Sequence, residues 1–180
     1  MVPMLCAEFG MPGSPLRPIV TCEHKYWSRL EQRKAIDEVP AFALVDLDTA
    51  TGPPEGLRYP LWLKPIKGFS SELAFQVNDD DEFAEALTEL RAGVDRVDEP
   101  FRYVLDQLDL PPEIAEIGPH TCLAEEAIHG NQVATEGYVY RGQVHVHGVL
   151  DSVDYPDSSA FCATRPRPSA AASTTWSIRA

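Results

Sequence analysis

The sequence predicts an α+β domain, an antiparallel sheet with helices packed on one face, from three local patterns. The first is a helix signature in which Asp79 is a good N-cap, Glu82 stands three residues later, and apolar residues follow at helical spacing. The second is a set of short apolar runs, such as Leu61–Leu63, that predict buried strands. The third is a β-rich stretch in which apolar and polar residues alternate around the tight turn Arg141–Gly142.

The composition limits the class of protein. The chain has 180 residues, 44% hydrophobic and 24% charged, which fits one globular domain or a piece of a larger protein. Its formal net charge of −13 argues against nucleic acid or an anionic membrane as a partner, but it is compatible with a local cationic pocket for phosphates. No segment has the length of a membrane span or the pattern of a signal peptide, so we expect a cytoplasmic protein. Four widely spaced cysteines predict free thiols.

The N-terminal part is predicted to be irregular and then helical. Residues 1–18 contain four prolines and two glycines before any periodic pattern, which predicts an irregular lead-in. Thr21 could cap a helix from about Cys22 to Asp37, with Trp27 and Leu30 on its apolar side.

Two apolar runs enclose a loop with the composition of a phosphate-binding loop. After a predicted strand at Phe42–Val45, the run Leu61–Leu63 ends in Lys64–Pro65, and a second run covers Leu73–Val77. The intervening loop contains a lysine, a glycine and two serines, which could close over phosphates. The Walker spacing is absent, and a β-hairpin with solvated lysines is an equal alternative.

The C-terminal half is predicted to contain two helices and then strands. The helix after Asp79 is followed by a second one that begins at Glu99–Pro100 and stops at Pro111–Pro112. Strands are then predicted at Cys122–Ile128, Gln132–Tyr140 and Gln143–Asp151.

The last residues change in character. Residues 162–180 are rich in Ala, Ser, Thr, Arg and Pro without a clear period, which predicts a disordered tail. Because such a mixture is common after a frame change in GC-rich coding sequence, we hypothesise that this tail is not the one with which the domain evolved. Resequencing the coding region tests this, since an intact frame with no continuation in another frame would contradict it.

Three motifs occur in an order typical of one enzyme superfamily. CEHKYWSRL is similar to a D-K-x-x-x-R segment with His24 in place of Asp, YPLWLKPIKGFSS is similar to a strand–lysine–loop, and CLAEEAIHGNQ is similar to a purine hinge. On these motifs, the stretch from Gly10 to Phe161 resembles the ATP-grasp superfamily, in particular its amino-acid-ligase type. The resemblance implies an ATP-grasp nucleotide-binding subdomain at 19–161, truncated at both ends.

The first two motifs imply contacts to the phosphates of ATP. By this resemblance, Lys25 matches the first lysine that contacts phosphate, and Lys64 matches the lysine at the α- and β-phosphates. Gly68, Ser70 and Ser71 would belong to the flexible loop that closes over the triphosphate.

The third motif implies contacts to the nucleoside. By the same resemblance, Glu125 would meet the adenine amino group, and the backbone of Glu126 and Ile128 would bond the ring edge. Gln132 stands where a ribose-binding glutamate is usual, so one charge-assisted hydrogen bond would be lost.

The resemblance also implies parts that this sequence lacks. Superfamily members carry a preceding domain, and a Glu and a Glu-x-Asn that hold magnesium, whereas no Glu follows Glu136 here. The implied function is ATP binding within a ligase that activates a carboxylate as an acyl phosphate for capture by an amine. The alternative is a non-catalytic nucleotide- or partner-binding fragment, to which a second chain could add the missing parts.

Other candidate sites are weaker. His145 and His147 lie on one face of a predicted strand, but a third zinc ligand at a known spacing is missing. Cys122 opens a predicted core strand, where a buried and unreactive thiol is more common than a nucleophile.

Overall fold

The computed structural model describes residues 2–155, 161–166 and 175–177, and these form two compact units. The first unit is Met1–Ile128 and the second is His129–Ala180. Within the described residues, each unit contains one four-stranded antiparallel sheet, and the first also carries helices. The predicted α+β class is therefore confirmed. The sequence predicted one domain over 19–161, and those domain bounds stay a prediction.

The first unit combines helices with a sheet of strand order β1-β4-β2-β3, in which all pairs are antiparallel. Its strands are β1 Phe42–Asp46, β2 Leu61–Pro65, β3 Phe75–Val77 and β4 Thr121–Glu126. Its helices are α1 Val2–Glu8, α2 Leu16–Glu23, α3 Lys25–Ala35, α4 Asp80–Gly93, α5 Asp95–Leu105 and α6 Pro112–Ala115.

Helix α4 packs on one face of this sheet and forms the main core. The N-cap predicted for α4 is present, because Asp79 accepts the N–H of Glu82 at 2.9 Å, and the Glu82 carboxylate accepts the N–H of Asn78, the residue before the cap, at 2.8 Å. Phe83 and Leu87 of this helix are buried against the strands. A second cluster joins α2, α3, α5 and α6 through the buried residues Val20, Trp27, Phe101 and Ile114.

The predicted helix over Cys22–Asp37 is corrected to two helices that meet at His24. His24 has extended backbone angles, φ −84° and ψ 99°, and its side chain caps α3. Thr21 is not a cap, since its hydroxyl donates to the carbonyl of Arg17 within α2.

The lead-in predicted as irregular contains α1 and the start of α2. Pro3 and Pro18 lie in the first turns of these helices, where a missing N–H leaves no hydrogen bond unmade, so the prolines do not prevent a helix. Helix α5 also begins earlier than predicted, at Asp95, and Pro100 lies inside it.

The second unit is a sheet centred on a hairpin. Its strands are β5 Val133–Tyr140, β6 Gln143–Asp154, β7 Phe161–Pro166 and β8 Thr175–Ser177, of which β5, β7 and β8 all pair with β6. The predicted turn is confirmed, because Arg141 and Gly142 both have positive φ, 50° and 76°, as a two-residue hairpin requires.

Strand β8 and residues 162–166 of strand β7 lie in the stretch 162–180 that is predicted to be disordered, and these residues form paired strands. Pairing with β6 supplies the backbone hydrogen bonds that the composition did not reveal. The other residues of the predicted tail lie outside the described part of the chain.

Two further findings concern membrane spans and thiols. In the described part of the chain, no helix combines the length and apolarity needed to cross a membrane. Cys6, Cys22 and Cys122 are free thiols, as expected, and the side chain of Cys162 is outside the described residues.

Candidate functional site

The start of helix α3 is tied to the loop after β2 through Lys25. The backbone N–H of Lys25 donates to the carbonyl of Ile66 at 3.0 Å, and its Nζ donates to the carbonyl of Gly68 at 3.0 Å. The first and second predicted motifs therefore meet in space, although they are about forty residues apart in sequence.

His24 fixes the position of Lys25 by capping α3. It is 1% exposed, and its Nδ1 accepts the N–H of Trp27 at 3.1 Å. Burial lowers the pKa of His24 to about 4, so the imidazole is neutral near pH 7 and Nδ1 can accept a hydrogen bond. An Asp at this position would cap in the same way, so the departure from the D-K-x-x-x-R pattern preserves the local structure.

Lys64 and Arg29 meet at the carboxylate of Glu125. Pairing of β2 with β4 places Trp62 opposite Glu125, and alternation puts Lys64 on the same face as Trp62. Lys64 Nζ pairs with Glu125 Oε1, and Arg29 Nε donates to Glu125 Oε2 at 2.8 Å. The ammonium of Lys64 also lies 5.2 Å from the centroid of the Trp62 ring.

These four residues, Lys25, Arg29, Lys64 and Glu125, are hereafter the cationic cluster. Burial, and then the positive charge of Lys64, lower the pKa of Lys25 to about 8. Burial alone would raise the pKa of Glu125, but the hydrogen bond from Arg29 and the charge of Lys64 outweigh burial and lower it.

The charges of the cationic cluster do not cancel. The cluster contains three cations and one carboxylate, which leaves an excess of two positive charges in a chain of net charge −13. Within the described residues, Lys25 has no carboxylate at salt-bridge distance and bonds a carbonyl instead. The cluster is therefore a cationic surface that a phosphate could neutralise.

The loop that follows β2 is closely fitted and strained. A Cβ atom at Gly68 would lie 3.0 Å from Pro65 Cγ and 3.4 Å from Lys25 Nζ, so a side chain there would press on the lysine. Ser70 and Ser71 have φ of 53° and 58°, a conformation that non-glycine residues rarely adopt. Both serines are exposed, so their hydroxyl groups are accessible to a ligand.

The residues of the predicted hinge have different surroundings. Glu125 is 4% exposed and belongs to the cationic cluster. The N–H of Glu126 donates to the carbonyl of Ala41 at 2.9 Å, so only the carbonyl of Glu126 is left for a purine edge. Ile128, two residues after the end of this strand, is 72% exposed.

Gln132 belongs to the second unit. It is exposed, and its carbonyl accepts the N–H of Ser152 at 3.1 Å.

The structure thus brings together four of the predicted residues, Lys25, Lys64, Gly68 and Glu125. It adds Arg29, which was not predicted as a site residue. The signal for Arg29 was available, since it is the arginine of the D-K-x-x-x-R pattern.

The weaker candidates have structural explanations. Burial raises the pKa of Cys122 to about 12, which is the unreactive thiol that was expected. His120 bonds Asp48 and Asp95 through its two ring nitrogens, and His145 stacks on Tyr138. No group of three or more His, Cys, Asp or Glu side chains suited to a metal ion occurs within the described residues.

Comparison with known proteins identifies the fold. No protein-family model and no curated protein matches the sequence. An L-amino acid ligase from Bacillus licheniformis matches 89% of this chain, with 21% identity and a TM-score of 0.59. A D-alanine–D-alanine ligase from Coxiella burnetii matches 83% of the chain, with 17% identity and a TM-score of 0.58.

Both of these structures are ATP-grasp enzymes, so the fold predicted from the three motifs, part of an ATP-grasp fold, is confirmed. The match covers 33% of the first ligase and 39% of the second, so this chain spans well under half the length of either.

Proposed function

We propose that the cationic cluster binds the phosphates of ATP, and that the chain serves as the nucleotide-binding part of an ATP-grasp ligase. The observation that carries this proposal is the excess of two positive charges, held by α3 and β2 beside a glycine loop, in a strongly acidic chain. The likeness to two ligases supports the proposal at the level of the fold.

Glu125 allows Lys64 to exchange partners. If Lys64 turns from Glu125 to a phosphate oxygen, the carboxylate still keeps its hydrogen bond from Arg29 at 2.8 Å. The buried carboxylate is therefore not left uncompensated, which would otherwise oppose phosphate binding. Arg29 is thus a positioning residue in this proposal.

Lys25 would contribute the second charged contact. Because the pKa of Lys25 is lowered to about 8, a phosphate beside it would stabilise the charged form and raise that pKa. Nucleotide binding should then be coupled to proton uptake by Lys25 when the pH is near or above 8.

The loop and hinge would complete the contacts to ATP. We propose that Gly68, Ser70 and Ser71 cover the triphosphate, while the Glu126 carbonyl and the Ile128 N–H meet the adenine edge.

The reaction of the whole ligase would be the joining of a carboxylate to an amine. A carboxylate oxygen attacks the γ-phosphorus of ATP and ADP leaves, and the amine then attacks the acyl carbon and releases phosphate. Magnesium would neutralise charge between the phosphates, but the described residues offer no group of side chains that fits this ion. The steps assigned here to Lys25, Lys64 and Arg29 do not depend on it.

The lack of a fitting metal group within the described residues favours a second candidate function. In this alternative, the chain binds nucleotide, or a partner protein, without turnover. Release of ADP that depends on an added carboxylate and amine would distinguish the ligase from the binding module.

The first test is ATP binding to the full chain by titration calorimetry, with Lys64→Ala as the variant and Lys34→Ala as the control. Lys34 pairs with Glu31 on the exposed surface of α3. We expect Lys64→Ala to weaken ATP binding by about 1–3 kcal/mol, as for a lost charged hydrogen bond, and Lys34→Ala to have little effect. Equal affinities of the parent chain and Lys64→Ala, or absence of ATP binding, would overturn the proposal.

A further inference from the structure

A second concave site lies in the first unit, between helices α2 and α5 and the loop after β2. Its volume is about 350 Å³, at the lower end of the range for small-molecule pockets, which is about 300–1,000 Å³. Most of its lining residues are apolar, among them Leu16, Ile19, Val20, Val97, Phe101 and Val104. We call it the α2–α5 cavity.

The α2–α5 cavity is distinct from the cationic cluster. None of Lys25, Arg29, Lys64 and Glu125 lines it. Gly68 connects the two sites, because it lines the cavity and its carbonyl accepts the hydrogen bond from Lys25.

Charged side chains stand beside the apolar wall, and Lys67 is central among them. Lys67 Nζ pairs with the carboxylate of Glu23 and lies 5.8 Å from the centroid of the Phe101 ring. Burial lowers the pKa of Lys67, so part of its hydration is already lost. Its partner Glu23 is 47% exposed at the side chain and can turn to solvent. Arg96 also lines the cavity, and its guanidinium pairs with the carboxylate of Glu72.

We propose that the α2–α5 cavity binds a small amphipathic carboxylate, whose apolar body fills the cavity and whose carboxylate replaces Glu23 at Lys67. The apolar wall selects an alkyl or aryl body, because burying such a group removes apolar surface from water. The existing pair with Glu23 shows that the Lys67 ammonium is placed to hold a carboxylate.

Charge distinguishes this ligand class from its alternatives. A cationic amphiphile would bring a like charge to Lys67, which is unfavourable. A neutral alcohol of the same length would fill the apolar wall but would gain no charged contact. Binding should therefore follow the order carboxylate, alcohol, amine.

The test uses the full chain without nucleotide, so that it does not depend on the proposed ATP function. Octanoate is titrated by calorimetry, with 1-octanol and octylamine as probes of equal chain length. We expect saturable binding of one octanoate per chain, with both other probes weaker.

Three substitutions locate the site. Val97→Phe should abolish octanoate binding by filling the cavity, whereas the same substitution at the exposed Val139, in the second unit, should not. Lys67→Met should weaken octanoate binding about tenfold through loss of a charged contact. Glu23→Gln should strengthen it about threefold to tenfold, because Lys67 then has no competing carboxylate.

The result at Glu23 is the sharpest one. Weaker octanoate binding in Glu23→Gln than in the parent chain would overturn the proposal, because the Glu23 carboxylate would then not compete with octanoate for Lys67. Octanoate binding that is absent from the parent chain, or equal in Val97→Phe and Val139→Phe, would do the same. Circular dichroism of each variant checks that it is folded, and Lys67→Met and Glu23→Gln remain informative if Val97→Phe does not fold.

Discussion

The two faces of the first unit's sheet use the same strands for different purposes. On one face, Leu61 and Leu63 are fully buried against α4. On the other, Trp62, Lys64 and Glu125 come together beneath side chains of α3. Alternation along one strand therefore places a core residue and a charged site residue next to each other.

The difference between the two faces indicates that the stability of the fold can be changed without changing ATP binding. Substitutions on the α4 face should alter the free energy of unfolding without changing the ATP affinity of the folded chain. Substitutions on the charged face should alter both, because its ions are paired in the absence of ligand.

The largest expected effect is on the α4 face. Leu63→Ala should lower the free energy of unfolding by about 2–5 kcal/mol, since it leaves a cavity where the side chain is fully buried. Ile36→Ala, at a position 49% exposed, should change it by less than about 0.5 kcal/mol. Urea denaturation measures both, and calorimetry at a temperature where Leu63→Ala is folded should find unchanged ATP affinity. A loss of affinity there would break the distinction between the faces.

The next effect concerns the cap that holds Lys25 in place. The pKa of His24 is about 4 in the folded chain and 6.5 in its ordinary state, so between these values the unfolded chain binds more protons. Stability should therefore fall as the pH is lowered from 6.5 to 4, by up to about 3 kcal/mol from this residue.

His24→Asn is the matched variant, because asparagine keeps a capping acceptor and does not titrate. Urea denaturation across this pH range should show a flatter profile for His24→Asn than for the parent chain. Parallel profiles would mean that His24 is not the group that titrates.

A smaller effect is expected at Glu125. Glu125→Ala should lower the free energy of unfolding by about 2 kcal/mol. This loss is smaller than that expected for a fully buried ion pair, because the side chains of Arg29 and Lys64 are about a quarter exposed. The neighbouring Glu126 pairs with Arg58, whose side chain is 86% exposed, so loss of that pair in Glu126→Ala should cost less than about 1 kcal/mol. The difference in destabilisation between the two variants should be smaller in high salt than in low salt, because salt screens the ion pairs, and denaturation under both conditions measures it. Equal costs would contradict the assignment of Glu125 as the compensating charge.

Much of the fold follows from local sequence patterns. The N-cap Asp79 specifies the start of α4, and the turn Arg141–Gly142 specifies the β5–β6 hairpin, because each pattern fixes its own backbone geometry. The break at His24 could not be predicted in this way. Histidine accepts a capping hydrogen bond only when it is neutral, and burial by distant residues keeps His24 neutral well below pH 6.5.

The candidate site was predictable only in part for a similar reason. The resemblance selected Lys25, Lys64 and Glu125 from motifs, one residue at a time. Arg29 and Glu125 are 96 residues apart, so their ion pair depends on how α3 packs over the sheet. The same holds for Lys67, whose partner Glu23 lies on α2.

The smallest effect tests the charged face through Lys25. The pKa of Lys25 is about 8 and lies below its ordinary value of 10.5, so its charge is lost over a range in which an arginine stays charged. If Lys25 binds phosphate only when protonated, ATP affinity should fall about fivefold to tenfold as the pH rises from about 7.5 to 9.

Calorimetry at both pH values, in buffers of different ionisation enthalpy, measures this loss and the accompanying proton uptake. Lys25→Arg should show a flatter pH dependence whatever its affinity at pH 7.5, and Lys34→Ala should keep the profile of the parent chain. A pH dependence that Lys25→Arg retains would assign the titration to another group. The lowered pKa of Lys25 would then be a consequence of its position beside Lys64 and would not be a means of binding phosphate.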